Sequence, residues 1–235
     1  MPLEHRVRPI HLRPATDLAE RVLLPGDPHR ALAVAQALLE GPLMFNHARG
    51  LWGYTGLADD GEPLSIQSTG MGGPSAAIVC EELIVLGARR LVRIGTCGAL
   101  RDDIELGALL AVREALPADG ASVALGAEGP VAASPSLVER MVAAGATAVT
   151  VASTDLFYDG RAGSVEDWLD RGAAAVEMET ATLLRLAELR GVEAAAVLGV
   201  TDVPGPDGSR RADPEELEAI GLRVGRAGYE ALRTR

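Results

Sequence analysis

The sequence predicts an α/β protein with a largely parallel or mixed sheet, and three observations predict it. Short apolar runs, among them Val22–Leu24, Leu91–Ile94, Ala148–Ala152, Ala173–Val176 and Ala194–Val200, alternate with longer stretches of helical pattern. Most of these runs stop at Gly, Pro, Asp or Glu, as strands do where they hand over to helices. Apolar residues make up 48% of the chain and aromatics only 3%, so the core has to be built from Leu, Val, Ile and Ala. A chain of 235 residues is long enough for one sizeable domain, residues 1–235, and requires no second.

Charge and composition exclude several classes. A net charge of −11 argues against a general nucleic-acid or membrane-surface binder, so any anion site has to be a local arginine cluster. Every basic side chain apart from His is Arg, which reads as a compositional bias before a functional device. Cys80 and Cys97 have neither metal-ligand spacing nor the pattern of a disulfide framework. The opening Met1–Arg8 has no apolar signal core, and no apolar run reaches membrane-spanning length. The expectation is a soluble, cytoplasmic protein.

Taken in order, Val22–Leu24 is a strand ended by Pro25-Gly-Asp-Pro28, and a helix follows from His29 to Glu40, closed by Gly41-Pro42. Gly26 and Arg30 thus lie at a strand-to-helix junction, where free backbone N–H groups favour anions. Gly50–Gly56 and Pro63–Ser68 read as hairpin strands around Asp59-Asp-Gly61, with Arg49 just before the first. Ser68-Thr-Gly-Met-Gly-Gly-Pro-Ser75 is a glycine-rich loop opening a helix that Gly87 stops. It lacks the Gly-Lys-Ser/Thr of a P-loop; its glycines would let a ligand lie near the backbone, with Met71 as an apolar lid, or make a plain tight turn.

Leu91–Ile94 is the next strand, with Arg93 in its middle, breaking into Gly95-Thr-Cys-Gly98. A buried strand tolerates a guanidinium only when an anion or a carboxylate meets it. Thr96 adds a hydroxyl. The stretch therefore reads as an oxyanion site at a strand's carboxyl end, or as a structural salt bridge beside an ordinary turn. Ala108–Val112 is another strand, residues 117–133 an irregular excursion, Ser136–Ala144 a helix and Ala148–Ala152 a strand. Asp155-Leu-Phe-Tyr158 places two aromatics at a strand end, for stacking on a flat heterocycle or for the core. Ser164-Val-Glu-Asp167 reads as a capped helix start. Glu177-Met-Glu179 sets two carboxylates between the strand Ala173–Val176 and the helix Thr180–Arg190, where they would meet a sugar diol or cap the helix. Asp202 follows the last strand, Ala194–Val200, where a catalytic acid would sit. Val203–Ala212 reads as a mobile flap, and Asp213-Pro-Glu-Glu216 caps a terminal helix reaching about Arg233.

Leu24–Arg30, Ser68–Ser75, Arg93–Gly98, Asp155–Tyr158, Val176–Glu179 and Val200–Asp202, in that order, resemble the nucleoside phosphorylase-I family over about residues 8–232. The resemblance is to its hexameric bacterial purine branch, with the uridine branch close. It implies a three-layer α/β/α fold with a central mixed β-sheet (phosphorylase/hydrolase-like). It also implies a pentosyltransferase that cleaves a nucleoside with inorganic phosphate as co-substrate, without cofactor or metal.

Residue by residue, the resemblance puts phosphate on Gly26, Arg30, Arg93 and Thr96, with Arg49 from a neighbouring subunit. The ribose falls to Met71, Glu177, Met178 and Glu179, with His11 from the partner meeting the 5′-hydroxyl. The base falls to Cys97, Gly98, Phe157 and Val176. Asp202 is the general acid at the purine N7, assisted by Arg211 or its neighbour Arg210. Two borrowed residues imply a homo-oligomer, a hexamer built as a trimer of dimers. Asp202 favours purines, and Arg161-Ala-Gly163 lacks the Gln with which the uridine branch reads a pyrimidine, while Ser68–Ser75 and Met178–Leu184 look more like that branch. A nucleosidase of the same fold would not need three arginines at one anion, and a non-catalytic nucleoside binder would not need Asp202.

Overall fold

In the computed structural model, which describes residues 8–159, 161–205 and 208–234, the elements follow each other as β1 (Arg21–Leu24), α1 (Pro28–Leu38), β2 (Glu40–Asn46), β3 (Gly53–Leu57), β4 (Pro63–Gln67), α2 (Gly73–Leu86), β5 (Arg90–Ala99), β6 (Leu109–Ala118), α3 (Gly120–Ala124), β7 (Val131–Ala132), α4 (Pro135–Ala143), β8 (Thr147–Thr154), α5 (Ser164–Asp170), β9 (Ala173–Glu177), α6 (Thr180–Arg190), β10 (Glu193–Gly205), β11 (Gly208–Arg211) and α7 (Pro214–Leu232). The expected absence of a signal core falls on Met1–Arg8, of which residues 1–7 lie outside the described residues, as do Gly160 after Tyr158 and residues 206–207 of the flap.

All eleven strands join one mixed sheet in the order β11-β10-β6-β8-β9-β5-β1-β4-β3-β2, with β7 on β6. A further pairing of β10 with β5 closes β5, β10, β6, β8 and β9 into a ring. Helices α1 and α4 each pack on α7, while α2, α3 and α6 pack on one another, and the two groups flank the sheet. This is the mixed α/β architecture expected from the alternation of strand and helix signals.

The ring has a fork in it, and the fork positions the site. Along one side β5 is paired with β10 from Arg90 to Gly98. On the other it runs parallel to β1 as far as Leu24 opposite Arg93, and only at Gly98 does it take up antiparallel β9, with Val176 as partner. The stretch between, Ile94–Cys97, lies between the carboxyl ends of β1 and β9. Crevices of this kind, where neighbouring strands part, are where α/β sheets bind ligands.

Several boundaries differ from the sequence reading. The β5 strand does not break at Gly95; it runs to Ala99, because β10 pairs with Gly95, Thr96 and Cys97 as readily as with bulkier residues. A Cβ at residue 95 would stand 2.7 Å from Arg93 Cζ, so the glycine there makes room for the guanidinium rather than for a turn. The helix α1 ends at Leu38, and Gly41-Pro42 lie inside β2, an edge strand the composition hid. Residues 117–133 are not wholly irregular: they hold the end of β6, α3 and β7. Ser164 is the first residue of α5 and not its cap; Gly163 stands there with φ of 85°. The strand ending at Val200 continues to Gly205 and turns back as β11, so the flap is a β-hairpin. Asp213 caps α7 with a full capping box to Glu216, as read.

The terminal helix shows how the sequence permits close packing. Gly225 and Gly228 lie on the face of α7 toward Val34, Leu23, Val92 and Ile94, and a Cβ at 228 would be 2.5 Å from Ile94 Cγ2. Each glycine weakens the isolated helix by about 0.5–1 kcal/mol relative to alanine and is kept where α7 must touch α1 and β5.

Candidate functional site

Arg93 is only 6% exposed and faces two carboxylates. Its Nε donates to Glu177 Oε2 at 2.9 Å, and its Nη2 lies 2.5 Å from Glu179 Oε2. Burial works against the charge, but Glu179 and then Glu177 more than offset it, so the guanidinium is held firmly protonated. Of the two readings of Arg93 the salt bridge is the one observed, and the residue lies at the fork.

Arg30 reaches the same place from the other layer. Arg93 shares its surroundings with Ala76 and Cys80 of α2 and Leu183 of α6, whereas Arg30 lies against Gly221 of α7, where a Cβ would be 3.3 Å from its Nε. Burial pushes the Arg30 guanidinium below its usual range; Asp27 opposes the shift, and the charge of Arg93 adds to it. Among the described residues no carboxylate comes within 4 Å of Arg30. A half-buried cation without a contacting counter-ion, close to a second cation, is a place for an anion.

The turn ahead of Arg30 is fixed from both sides. Asp27 caps α1 by accepting from the His29 N–H at 2.9 Å. The Gly26 carbonyl accepts from the Gly70 N–H at 3.1 Å, which ties the turn to the glycine-rich loop. That loop then crosses to the acidic side, where the Gly72 N–H donates to Glu179 Oε1 at 2.5 Å. Gly70 and Gly72 have φ of 74° and 84°, a conformation that favours glycine. Between them Met71 is 85% exposed, so within this chain it covers nothing.

The two glutamates differ in what they have left to offer. Glu177 Oε1 accepts from Ser153 Oγ and the Thr180 N–H, and Oε2 from Arg93 and the N–H groups of Glu179 and Thr180. Every oxygen is engaged inside the protein, so Glu177 caps α6 and holds Arg93. Glu179 keeps one oxygen on Gly72 and one on Arg93; burial raises its carboxyl above the ordinary range, Arg93 opposing the shift. Met178, between the two, is half-buried.

The remaining candidates form a second group one strand away. Gly98 is paired with Val176 on one side and Asp202 on the other, and a Cβ there would touch both side chains, at 3.7 and 3.8 Å. Asp202 Oδ2 accepts from Thr201 Oγ1 at 2.8 Å, and Oδ1 lies 3.5 Å from Arg211 Nε. The Arg211 guanidinium in turn lies 5.7 Å from the ring centroid of Phe157, itself 58% exposed and edge-on to Tyr158. The aromatic pair is thus at the surface and not in the core. Arg210 points elsewhere, toward Glu216 at 3.5 Å. Cys97 is buried with Sγ 3.8 Å from the Gly199 carbonyl, and Thr96 stands half-buried between the two groups. A cavity of about 610 Å³ lies beside the hairpin, against Ile104, Leu106, Val203, Arg210 and Ile220, and shares no residue with either group.

Two predicted residues do not join the site of their own chain. Arg49 sits exposed on a tight turn at φ 59°, held by Asn46, whose Nδ2 donates to the Leu51 carbonyl. His11 is bound to Glu82, nine residues into α2 from Gly73 and so about 14 Å along the helix. Glu82 accepts the N–H groups of Ile10, His11 and Leu12 and lies 2.7 Å from His11 Nδ1. Against burial, these donors, Leu12 and His11 foremost, keep Glu82 below the usual carboxylate range, so Nδ1–H donates, and among the described residues nothing bonds Nε2.

Sequence reasoning missed two supports. Asp119 accepts from Thr182 Oγ1 at 2.6 Å and would meet a Cβ on Gly73 at 2.8 Å, pinning α3, α6 and the start of α2 together. Asp155 accepts from the Gly120 N–H at 2.7 Å and so anchors the segment that carries Phe157. Asp119 is legible only as a helix cap, and nothing in the spacing of Asp155 points at Gly120.

Comparison with known proteins identifies the family. The model of the Phosphorylase superfamily matches residues 20–233. Similar proteins named purine nucleoside phosphorylase DeoD-type come from Caldanaerobacter subterraneus subsp. tengcongensis, 39% identical over 79% of this chain and 84% of that one, and from Geobacillus kaustophilus, 37% identical over 82% and 85%. A third, from Alkaliphilus metalliredigens, is 37% identical over 79% and 83%. With a match that runs from the first strand through the last helix, the chain belongs to the phosphorylase superfamily.

Proposed function

We propose that this protein cleaves purine ribo- or deoxyribonucleosides with inorganic phosphate, giving the free base and the pentose 1-phosphate. The observation that carries the reading is a half-buried Arg30 with no contacting carboxylate among the described residues, near enough to feel the charge of Arg93, with Glu179 on Arg93 and Asp202 across Gly98. The purine enzymes among its relatives support the choice of base.

In this reading Arg30, Arg93, the Gly26 turn and Thr96 hold phosphate against C1′ of the sugar. The bond from C1′ to the base breaks as the phosphate oxygen approaches, through an oxocarbenium-like state whose positive charge the oriented anion stabilises. Glu179 and the Met178 backbone take the sugar hydroxyls. Glu177 acts behind them, on Arg93. The base lies against Phe157, Val176, Cys97 and Gly98. Asp202 delivers its proton, or a hydrogen bond, to N7, which removes the negative charge from the departing purine and contributes ~10²–10⁴-fold. Arg211 holds Asp202 and steadies Phe157.

Arg49 and His11 complete the site of a neighbouring subunit, in a hexamer built from three dimers. The place of His11 on Glu82, about 14 Å along α2 from the glycine-rich loop, supports this, as does the exposure of Arg49, for which no hydrogen bond or ion pair of its side chain is seen among the described residues. One sheet and a family match over 20–233 support a single domain. No helix among the described residues is long and apolar enough to cross a membrane; the reaction needs only phosphate as co-substrate and belongs to the cytoplasm.

Base release from inosine, adenosine and uridine, each with and without phosphate, is the test. Phosphate-dependent release from the purines supports the reading. Uridine cleavage alone would assign the uridine reaction, and release without phosphate a nucleosidase.

A further inference from the structure

The two groups assigned to different substrates are engaged with each other. Arg93 is the buried cation for phosphate and Glu179 the carboxylate for the sugar hydroxyls, yet Nη2 and Oε2 lie 2.5 Å apart. Arg93 is held through Nε by Glu177, whose oxygens are fully used, and its planar guanidinium moves only as one piece, so Glu179 is the member of the pair that can turn away. Gly95 leaves the guanidinium room that any side chain would fill. Beside the pair, a cavity of about 10 Å³ lined by Leu24, Thr69, Ala76, Cys80 and Leu183 admits no more than a water.

Resting on the proposed reaction, we propose that the Arg93–Glu179 ion pair couples the two substrates: each has to loosen it, so either one, once bound, eases the binding of the other. Phosphate on Arg93 meets a carboxylate already on the same guanidinium, and two anions repel strongly where water is excluded. A nucleoside has to turn Glu179 from Arg93 toward its hydroxyls, leaving the cation short of a partner. The cost of opening the pair falls on whichever ligand arrives first and is absent for the second. That is positive coupling between two subsites, reciprocal by thermodynamic necessity, and such couplings are commonly about 5–150-fold in affinity. Glu179 also holds the Gly72 N–H, so its release from Arg93 leaves it anchored to the glycine-rich loop and not adrift.

The test is calorimetric titration of the whole protein with inorganic phosphate, alone and saturated with a purine-like C-nucleoside, whose carbon–carbon bond phosphate cannot cleave. The wild type is expected to bind phosphate at least about 5-fold more tightly with the C-nucleoside present. Glu179→Gln removes the competing charge: phosphate alone should bind more tightly than to the wild type, and the C-nucleoside should no longer tighten it. Glu179→Asp keeps the charge but withdraws it by one methylene; its coupling should fall below that of the wild type, and it serves should the Gln variant fail to fold. Phosphate binding to the wild type with no coupling, or coupling unchanged in either variant, overturns the proposal and leaves the phosphorolytic reading standing. Absence of any phosphate binding to the wild type overturns that reading and this inference with it.

Discussion

Asp202 and Arg211 stand directly opposite one another across the β10–β11 hairpin, with Arg211 Nε 3.5 Å from Asp202 Oδ1 and the Arg211 guanidinium over Phe157. The hairpin thus carries Asp202 and Arg211 on one face and turns Arg210 away toward Glu216. It follows that Asp202→Asn should keep the fold and phosphate binding but lose ~10²–10⁴-fold in adenosine turnover. Inosine should suffer less, because an amide still donates a hydrogen bond to N7 and the 6-oxopurine leaves more easily. Any uridine turnover should be unchanged. Arg211→Ala should lower purine turnover while Arg210→Ala should not. Steady-state kinetics on the three nucleosides checks all of this.

Arg93→Ala should have two effects at once. Phosphate use should weaken by about 2–5 kcal/mol of binding, read as a higher phosphate KM. The substitution also strands the buried Glu177 and Glu179 beside each other, which typically costs about 3–5 kcal/mol of stability. A lower thermal midpoint should therefore accompany the kinetic change, and unchanged values of both would misplace the anion site.

If Arg49 serves a neighbour's phosphate, Arg49→Ala and Asp202→Asn should each be nearly inactive alone and regain activity when mixed and reassembled. A hybrid pair then contains one site with Arg49 from one chain and Asp202 from the other. Activity that stays absent after demonstrated subunit exchange, or a fully active monomer, would place the whole site in one chain. Glu82→Ala should lower activity through His11, with a raised nucleoside KM and an unchanged phosphate KM.

Far from the site, Arg21 grips Asp60 through two bonds of 2.5 and 2.6 Å and holds the Pro63, Glu62 and Leu232 carbonyls, while Tyr229 donates to Asp59. This clasp joins the β3–β4 turn to the end of α7. The Arg21 bond holds the Asp60 carboxyl far below the usual range, with burial opposing it. A depressed carboxyl stabilises the fold above its unfolded value near ~3.9, and the stability goes as pH falls toward the folded value. Tyr229 has the opposite sign: burial and then Asp59 push it up to about 12, so its contribution is intact below ~10 and declines above it. Denaturant midpoints across pH should fall at both ends. Asp60→Asn should flatten the acid limb and Tyr229→Phe the alkaline one.

Neither cysteine should react in the native protein. Burial pushes the Cys80 thiol up to about 12 and drives Cys97 upward too. A thiol reagent at pH 8 should label neither until denaturant is added; rapid labelling of Cys97 would show that β5 opens to solvent there.

The sequence by itself determined most strands and most helices, because local rules govern them, while the candidate residues came from a few local anomalies and, for the rest, from the family resemblance. Apolar runs make strands, Asp27 and Asp213 cap helices, and glycines mark turns at Gly70, Gly72 and Gly87. An arginine inside an apolar strand and glutamates at a helix start are visible anomalies for the same reason. Local rules failed where a partner far along the chain decided the outcome. Gly95 reads as a break, yet β10, about a hundred residues on, holds it in a strand. Gly41-Pro42 read as a stop, yet β3 pairs with the edge strand that contains them. Arg210 and Arg211 are indistinguishable as neighbours until the hairpin register sends their side chains to opposite faces. Above all, no local rule brings together Arg30, packed against α7, and Arg93, packed against α2 and α6; the family resemblance implies their meeting, and in the structure the charge of Arg93 bears on Arg30. Only the register decides that β1 leaves β5 at Arg93 and that β9 joins it only at Gly98, which leaves Arg93 at an open strand end.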